Sequence, residues 1–184
     1  MAENPQGLEV LIARQTAKRH LGEVWARLAG LQTGMVAVDI GCGPGILTRE
    51  YARIVGPKGF VYGVESNLAV AAIIGRSDRN VRFLFQNYDS VLNLQRTPEV
   101  MFLTDTLHHL PEPAAVLQHL REAYAAGPRI FIAEYDPDQP GRFGAKLHRR
   151  IRKTRLLEMI EVAGFRHGGI FDTEDEHYAV IARC

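Results

Sequence analysis

Apolar and polar positions along the chain alternate between two patterns, one of helical period and one of short continuous runs. Residues 8–29 carry apolar side chains every three or four positions with charged residues between them, which predicts one helix. From residue 35 on, short apolar runs alternate with segments of helical period, a pattern typical of buried strands joined by helices. This alternation predicts a parallel sheet with right-handed crossovers. The predicted strands are residues 35–40, 60–64, 81–85, 100–103 and 129–134, and the predicted helices between them are residues 46–55, 67–75 and 113–126.

The pattern changes towards the end of the chain. A polar loop over residues 136–141 is followed by residues 142–155, which hold seven Lys and Arg side chains and no acidic one. Apolar residues at helical spacing continue to Ile160, so we interpret this segment as a helix with a solvated basic face, the alternative being contact with an acidic substrate. Two short strands follow, residues 166–171 and 177–182, joined by a polar hairpin connection.

Length and composition narrow the class of protein. With 184 residues, 46% apolar and 23% charged, the chain fits one domain. We divide it into an N-terminal helix (1–34), a cofactor-binding half (35–134) and a substrate-side part (135–184). A net charge of +1 predicts no general attraction to nucleic acid or to an anionic membrane. No apolar stretch reaches the roughly 20 residues of a membrane span, and the first residues lack the order of a secretory signal, so we expect a cytoplasmic protein.

The two cysteines, Cys42 and Cys184, are too few for a disulfide framework or for a zinc site of the usual spacing. Two adjacent histidines, His108 and His109, seldom point at one ion, and no carboxylate cluster accompanies them in the sequence. We therefore expect no metal.

A run of glycines separates the first predicted strand from the helix that follows it. The run reads D-I-G-C-G-P-G, from Asp39 to Gly45, and includes Gly41, Cys42 and Gly43. Without a Cβ, a glycine backbone can turn tightly and come close to a ligand, while the N–H groups that open the next helix carry partial positive charge. The spacing differs from the G-x-G-x-x-G of dinucleotide-binding proteins. It is compatible with a site for a nucleotide-like cofactor or with a plain structural turn.

An acidic residue closes the second predicted strand. Glu65 lies 20 residues after Gly45, and an acid at about this distance from a glycine loop is placed to accept hydrogen bonds from both hydroxyls of a ribose. The alternative is a charge that favours the dipole of the next helix. Because strand, loop and acid agree in order and spacing, we favour the ribose role, which indicates a cofactor and not a particular reaction.

Three features together resemble one family. The D-x-G-C-G-P-G run resembles motif I of the class I S-adenosylmethionine-dependent methyltransferases. The segment from Thr104 to Pro111, with its Leu-His-His, is similar to the strand-4 signature of small-molecule methyltransferases of the ubiquinone/menaquinone type. Members of this class also end in an antiparallel seventh strand between strands five and six, which fits the predicted terminal hairpin. The resemblance implies an α/β, Rossmann-like fold with a seven-stranded sheet, mostly parallel with an antiparallel last strand, and helices on both faces.

The resemblance also implies a cofactor, a reaction and a set of residues. The cofactor is S-adenosylmethionine, and the reaction is transfer of its methyl group to a small-molecule acceptor. Asp89 is the candidate for the exocyclic amine of adenine. The predicted cofactor-binding residues are Asp39, Gly41, Cys42, Gly43, Gly45, Glu65, Ser66, Tyr88, Asp89, Thr104 and Asp105. The candidates for a catalytic base are His108, His148 and Tyr135.

Two other classes stay open at this stage. One is a non-catalytic module that binds an adenosyl cofactor or a partner, since fold alone does not fix chemistry. The other is a nicotinamide-dependent oxidoreductase, which the glycine spacing and the terminal hairpin disfavour. A chain of 184 residues leaves little room for a large cap, so a pocket completed by a second subunit, in a homodimer, is compatible with it. The basic segment could also contact nucleic acid, but we regard nucleic acid as the disfavoured partner.

Overall fold

The structure is a computed structural model that describes residues 5–75, 77–88, 90, 92–124, 127–142 and 144–184. Within these residues there are six α-helices and seven strands. The helices are α1 (Pro5–Ala17), α2 (Leu21–Ala29), α3 (Ile46–Val55), α4 (Leu68–Ala71), α5 (Pro113–Ala123) and α6 (Lys153–Val162). The strands are β1 (Val36–Ile40), β2 (Phe60–Glu65), β3 (Val81–Phe85), β4 (Val100–Thr104), β5 (Arg129–Tyr135), β6 (Arg166–Asp172) and β7 (His177–Arg183). Short 3₁₀ turns cover Leu107–His109 and Leu147–Arg149.

The strands form a seven-stranded sheet in the order β3-β2-β1-β4-β5-β7-β6. Strand β2 pairs in parallel with both β1 and β3, whereas β7 is antiparallel to both β5 and β6. The predicted mixed α/β sheet is therefore confirmed, together with the position of the last strand between the fifth and the sixth. The apolar runs of β1 and β4 fit the central positions of these two strands in the sheet, because every residue of both strands is buried.

The prediction of one helix over residues 8–29 is wrong, because the chain turns between α1 and α2. Helix α2 buries Leu21 and Trp25 completely, whereas the apolar side chains of α1 are largely exposed, with Val10 at 49%. The apolar side chains of α1 and α2 therefore do not form one continuous buried face, as those of a single straight helix would. At the turn, the Arg19 guanidinium donates to the Glu50 carboxylate of α3.

Two other predicted helices are shorter in the structure. Helix α4 is a single turn that begins where the Asn67 side chain accepts a hydrogen bond from the N–H of Ala69. Helix α6 begins at Lys153 and not at residue 142. Gly141 and Gly144 have φ values of 79° and 63°, a left-handed backbone that interrupts a helix.

Internal contacts divide the chain into two compact units, one ending at Val100 and the other beginning at Met101. The core of the first unit includes the fully buried side chains of Trp25, Tyr51 and Tyr62. In the core of the second unit, the rings of Phe102 and Phe131 lie 5.7 Å apart. The single methyltransferase-like domain stays a prediction.

Candidate cofactor and acceptor sites

The glycine loop of the first unit has a backbone that favours glycine. Gly41, Gly43 and Gly45 have φ values of 73°, 54° and 76°, which side chains with a Cβ rarely adopt. A Cβ at Gly45 would lie 2.7 Å from the ring of Phe83, so that position is also closed by packing. A Cβ at Gly43 would meet only the Gln15 amide of α1, at 3.7 Å. At Gly43, which is buried, the left-handed φ and not packing is therefore what favours glycine.

The end of β1 is tied to the helix behind the loop. The carboxylate of Asp39 is buried and accepts a hydrogen bond of 2.6 Å from the Thr48 hydroxyl of α3. Burial raises the pKa of Asp39 from 3.8 to about 7, and the nearby negative charge of Glu65 adds to this effect. Burial likewise raises the pKa of the Cys42 thiol. Asp39 therefore supports the loop from behind through Thr48.

The Glu65 carboxylate forms the centre of a cluster at the end of β2. One oxygen accepts from the N–H of Gly43 at 3.0 Å, and the other accepts from the N–H of Asn67 at 2.8 Å. The Tyr88 hydroxyl lies 3.3 Å from Glu65 and accepts from the N–H of Ser66. Four predicted cofactor residues thus lie together in this unit. The fifth candidate near the adenosine, Asp89, lies outside the described residues.

In the second unit, a carboxylate orients the first of the two adjacent histidines. Glu134, at the end of β5, is fully buried, and one of its oxygens accepts from the N–H of Leu107 at 2.8 Å. Its other oxygen faces Nδ1 of His108. We assign the proton to Nδ1, because a carboxylate accepts there, which leaves Nε2 of His108 as an acceptor. Thr104, one of the predicted cofactor contacts, is a buried residue at the end of β4.

A second carboxylate–imidazole pair lies at the end of β4. Asp105 has a φ of 54°, uncommon outside glycine, and its carboxylate lies 2.9 Å from Nε2 of His177. The His177 ring packs on the ring of Tyr135, with 4.0 Å between their centroids. The ring of His108 is steeply inclined to the same tyrosine ring, with 6.3 Å between their centroids. Sequence reasoning missed His177, because its position depends on the register that pairs it with Tyr135 across β5 and β7.

A segment that we call the basic strap, residues 141–152 (of which 143 lies outside the described residues), covers Tyr135. Gly144 lies so close to the Tyr135 ring that a Cβ there would overlap it. The Arg150 guanidinium packs over the same ring at 5.1 Å and donates to Glu176 at 2.8 Å. Glu176 also accepts from the N–H groups that begin the strap, those of Gly141 and Arg142.

These bonds decide the charge state of the residue that holds the strap. Desolvation by itself would raise the pKa of Glu176, but the hydrogen bonds from Arg150 and from the two backbone N–H groups outweigh it, and the pKa is lowered. Glu176 is therefore ionised at neutral pH. His148, the third predicted base, is exposed on the strap, and within the described chain no hydrogen bond or ion pair of its side chain is found.

Two further observations concern the described residues only. No group of three or more His, Cys, Asp or Glu side chains is arranged there to hold a metal ion. No helix in this part of the chain is long and apolar enough to cross a membrane.

Solved structures similar to this chain include S-adenosylmethionine-dependent methyltransferases. An S-adenosylmethionine-dependent methyltransferase from Aquifex aeolicus is 21% identical and superposes with a TM-score of 0.83, with 98% of each chain covered. The plantazolicin methyltransferase, solved in complex with S-adenosylhomocysteine, is 12% identical with a TM-score of 0.76, covering 98% of this chain and 91% of its own. The fold is therefore that of this class of enzymes.

Sequence comparison defines the family. The family model described as "Methyltransferase domain" matches residues 13–177, and the chain belongs to this family. The ubiquinone biosynthesis O-methyltransferase of Aeromonas salmonicida is 30% identical over 106 residues, which is 54% of this chain and 43% of that protein. The chain spans less than half the length of the curated relatives it matches, with 38% and 43% of their lengths covered.

Proposed function

We propose that the chain binds S-adenosylmethionine and transfers its methyl group to a small-molecule acceptor. The observation that supports this most is the Glu65 carboxylate, buried at the end of β2 and bonded to the N–H of Gly43 in the glycine loop. A carboxylate beside a glycine loop is what recognition of an adenosine ribose requires. The proposed contacts are the loop backbone at Gly41, Cys42, Gly43 and Gly45, supported by Asp39, then Glu65, Ser66, Tyr88 and Asp89 for the adenosine, and Thr104 and Asp105 for the methionine part.

The Glu65 carboxylate has acceptor positions that ribose hydroxyls could use. A carboxylate offers about four lone-pair positions, and the described contacts of Glu65 are two backbone N–H groups and one hydroxyl. The hydroxyl contact, from Tyr88, is long at 3.3 Å. A ribose hydroxyl can take the remaining position and a second one can displace Tyr88, while the backbone contacts with Gly43 and Asn67 are kept.

Bound S-adenosylmethionine supplies an electrophilic methyl group on a sulfonium. The chain's own contribution is to hold the acceptor atom in line with that methyl group, at about 3 Å, which accelerates the reaction through positioning. Where the acceptor must lose a proton, His108 is the favoured base, because the Glu134 carboxylate fixes its ring with Nε2 as the acceptor. Tyr135 and His148 are the other candidates, one covered by the basic strap and one exposed on it.

An amide-resolved titration tests this proposal. Adding S-adenosylhomocysteine to ¹⁵N-labelled protein should shift the backbone signals of Gly43, Ser66 and Asn67, because all three surround the Glu65 carboxylate. NAD added at the same concentration should leave them unchanged. Shifts confined to other residues, or equal shifts with NAD, would contradict the assignment of this cluster to the adenosine.

A further inference from the structure

The basic side chains near the strap fall into two groups, and the first group has carboxylate partners. Arg150 is buried and lies 2.8 Å from Glu176. Lys153 lies 2.8 Å from Asp136 and 2.7 Å from Asp172, and these contacts raise its pKa. These two cations hold the strap to the body of the second unit, so their charges are already compensated.

The second group consists of Arg142, Lys146, Arg149 and Arg152. All four residues are exposed, and within the described chain none of their side chains has a hydrogen bond or an ion pair. The whole chain has a net charge of only +1, so these four positive charges are a local excess, with a net negative charge on the remaining residues. The predicted solvated basic face therefore describes only part of the segment.

Two of these cations lie close together along the strap. Arg149 is the last residue of the 3₁₀ turn Leu147–Arg149, Lys146 directly precedes that turn, and the N–H of Arg149 donates to the carbonyl of Lys146. This backbone bond holds the two charged residues near each other. Like charges at this spacing repel, and a bound anion removes the repulsion. Leu147, between them, lies against Gly141 instead.

The strap also lies on the residues proposed to meet the acceptor. Gly144 and Arg150 pack directly on Tyr135, whose ring centroid lies 6.3 Å from that of His108. The excess positive charge is thus carried by the segment that covers Tyr135, one of the candidate bases. An acceptor that approaches Tyr135 encounters these cations.

We infer that the strap binds a negatively charged group, a carboxylate or a phosphate, of the methyl acceptor. This inference rests on the proposed function. Arginine guanidinium groups bind both oxyanions in a bidentate manner, and Lys146 adds a point charge. The exposed position makes the attraction sensitive to salt, and it raises the association rate of an anionic acceptor over that of a neutral one.

Three matched probes test the inference without knowledge of the natural acceptor. Phenyl phosphate and benzoate carry the two candidate anions on the same ring, and benzamide is the neutral analogue. Each is titrated into the full chain in the presence of S-adenosylhomocysteine, at low and at raised ionic strength. The strap variant is R142Q/K146Q/R149Q. The control variant, K58Q/R79Q/R82Q, removes the same charge from exposed residues of the first unit that have no ion-pair partner in the described chain.

We expect at least one acid to bind at least about tenfold more tightly than benzamide, a difference of about 1.4 kcal/mol. The strap variant should lose about tenfold in affinity for it, and the control variant less than twofold. The backbone signals of Tyr135 and Gly144 should shift on binding. The more tightly bound acid identifies the anion.

Three results would overturn the inference: equal binding of benzamide, unchanged binding by the strap variant, or no binding of either acid. A single-stranded oligonucleotide that binds far more tightly than phenyl phosphate would also overturn it, in favour of a nucleic-acid surface. Titration of S-adenosylhomocysteine alone separates this failure from that of the proposed function. If the wild-type protein does not bind S-adenosylhomocysteine, the proposed function is contradicted. If it binds S-adenosylhomocysteine but shows no preference for the anionic probes, only the role of the strap is contradicted.

Discussion

Glu65→Gln should weaken the binding of S-adenosylhomocysteine while the protein stays folded. In the structure, each of the two carboxylate oxygens accepts a backbone N–H, from Gly43 and from Asn67. A glutamine has one carbonyl oxygen, so its NH₂ group must face one of these donors or displace it. The variant therefore loses one charge-assisted hydrogen bond to the backbone and the charge that attracts the ribose hydroxyls.

A hydrogen bond to a charged group contributes about 1.5–3 kcal/mol. Loss of this amount at the ribose corresponds to an increase of about 10- to 150-fold in Kd. Isothermal titration calorimetry measures it directly, and circular dichroism verifies the fold. Glu99→Gln is the matched control, because the Glu99 carboxylate also accepts a backbone N–H, that of Val36 at 2.9 Å, but at the opposite end of β1. Binding of S-adenosylhomocysteine by Glu65→Gln within twofold of wild type, or an equal loss of affinity in the control, would contradict the ribose role of Glu65.

Three other substitutions test the surroundings of the two candidate sites. Gly45→Ala should destabilise the fold well beyond Gly34→Ala in urea denaturation, because both have positive φ but only the first would press a Cβ on a neighbouring ring. Gly34→Ala should cost about 1–2 kcal/mol, the penalty of the left-handed backbone alone. Folding raises the pKa of Asp39 from 3.8 to about 7, so between these pH values the folded chain keeps a proton that the unfolded chain has lost. The free energy of unfolding should therefore fall by up to about 4 kcal/mol as the pH rises from 3.8 to about 7. Asp39→Asn should flatten that part of the pH profile. Glu176→Gln should increase tryptic cleavage within the strap, since Glu176 accepts three of its bonds, whereas Glu112→Gln, at an exposed side chain without a hydrogen bond in the described chain, should not.

Each of these has a contradicting result. Equal stability of the two alanine variants would show that the ring near Gly45 moves aside without cost. A wild-type pH profile retained in Asp39→Asn would assign the titration to another group. Equal cleavage rates in Glu176→Gln and wild type would mean that the strap is held by other contacts.

The segment from β1 through the glycine loop to α3 could be predicted from the sequence almost residue by residue. Its determinants are local: an apolar run, glycines at positive φ, and then a helical period from Ile46 to Val55. The position of Glu65 at the end of β2 could likewise be predicted, because the residue closes a short apolar run at a fixed distance after the glycine loop. Its bond to Gly43 follows from the pairing of neighbouring strands.

The second unit was harder to predict, because its contacts depend on long-range register. His177 meets Asp105 and Tyr135 only because β7 pairs with β5 in one particular register, and no local pattern fixes that register. The prediction for the basic segment was wrong for a similar reason. Its apolar spacing suggested a helix from residue 142, but the glycines at 141 and 144 and the buried bond between Arg150 and Glu176 make it a strap. Buried pairs between distant positions are invisible in single-sequence periodicity.

The most direct test of the central claim is a parallel calorimetric titration of the wild-type chain with S-adenosylmethionine, S-adenosylhomocysteine and NAD. We expect micromolar binding of both adenosyl ligands and no binding of NAD, since the spacing of the glycine loop differs from that of dinucleotide-binding proteins. Binding of NAD in preference to the adenosyl ligands, or binding of neither adenosyl ligand by folded protein, would contradict it.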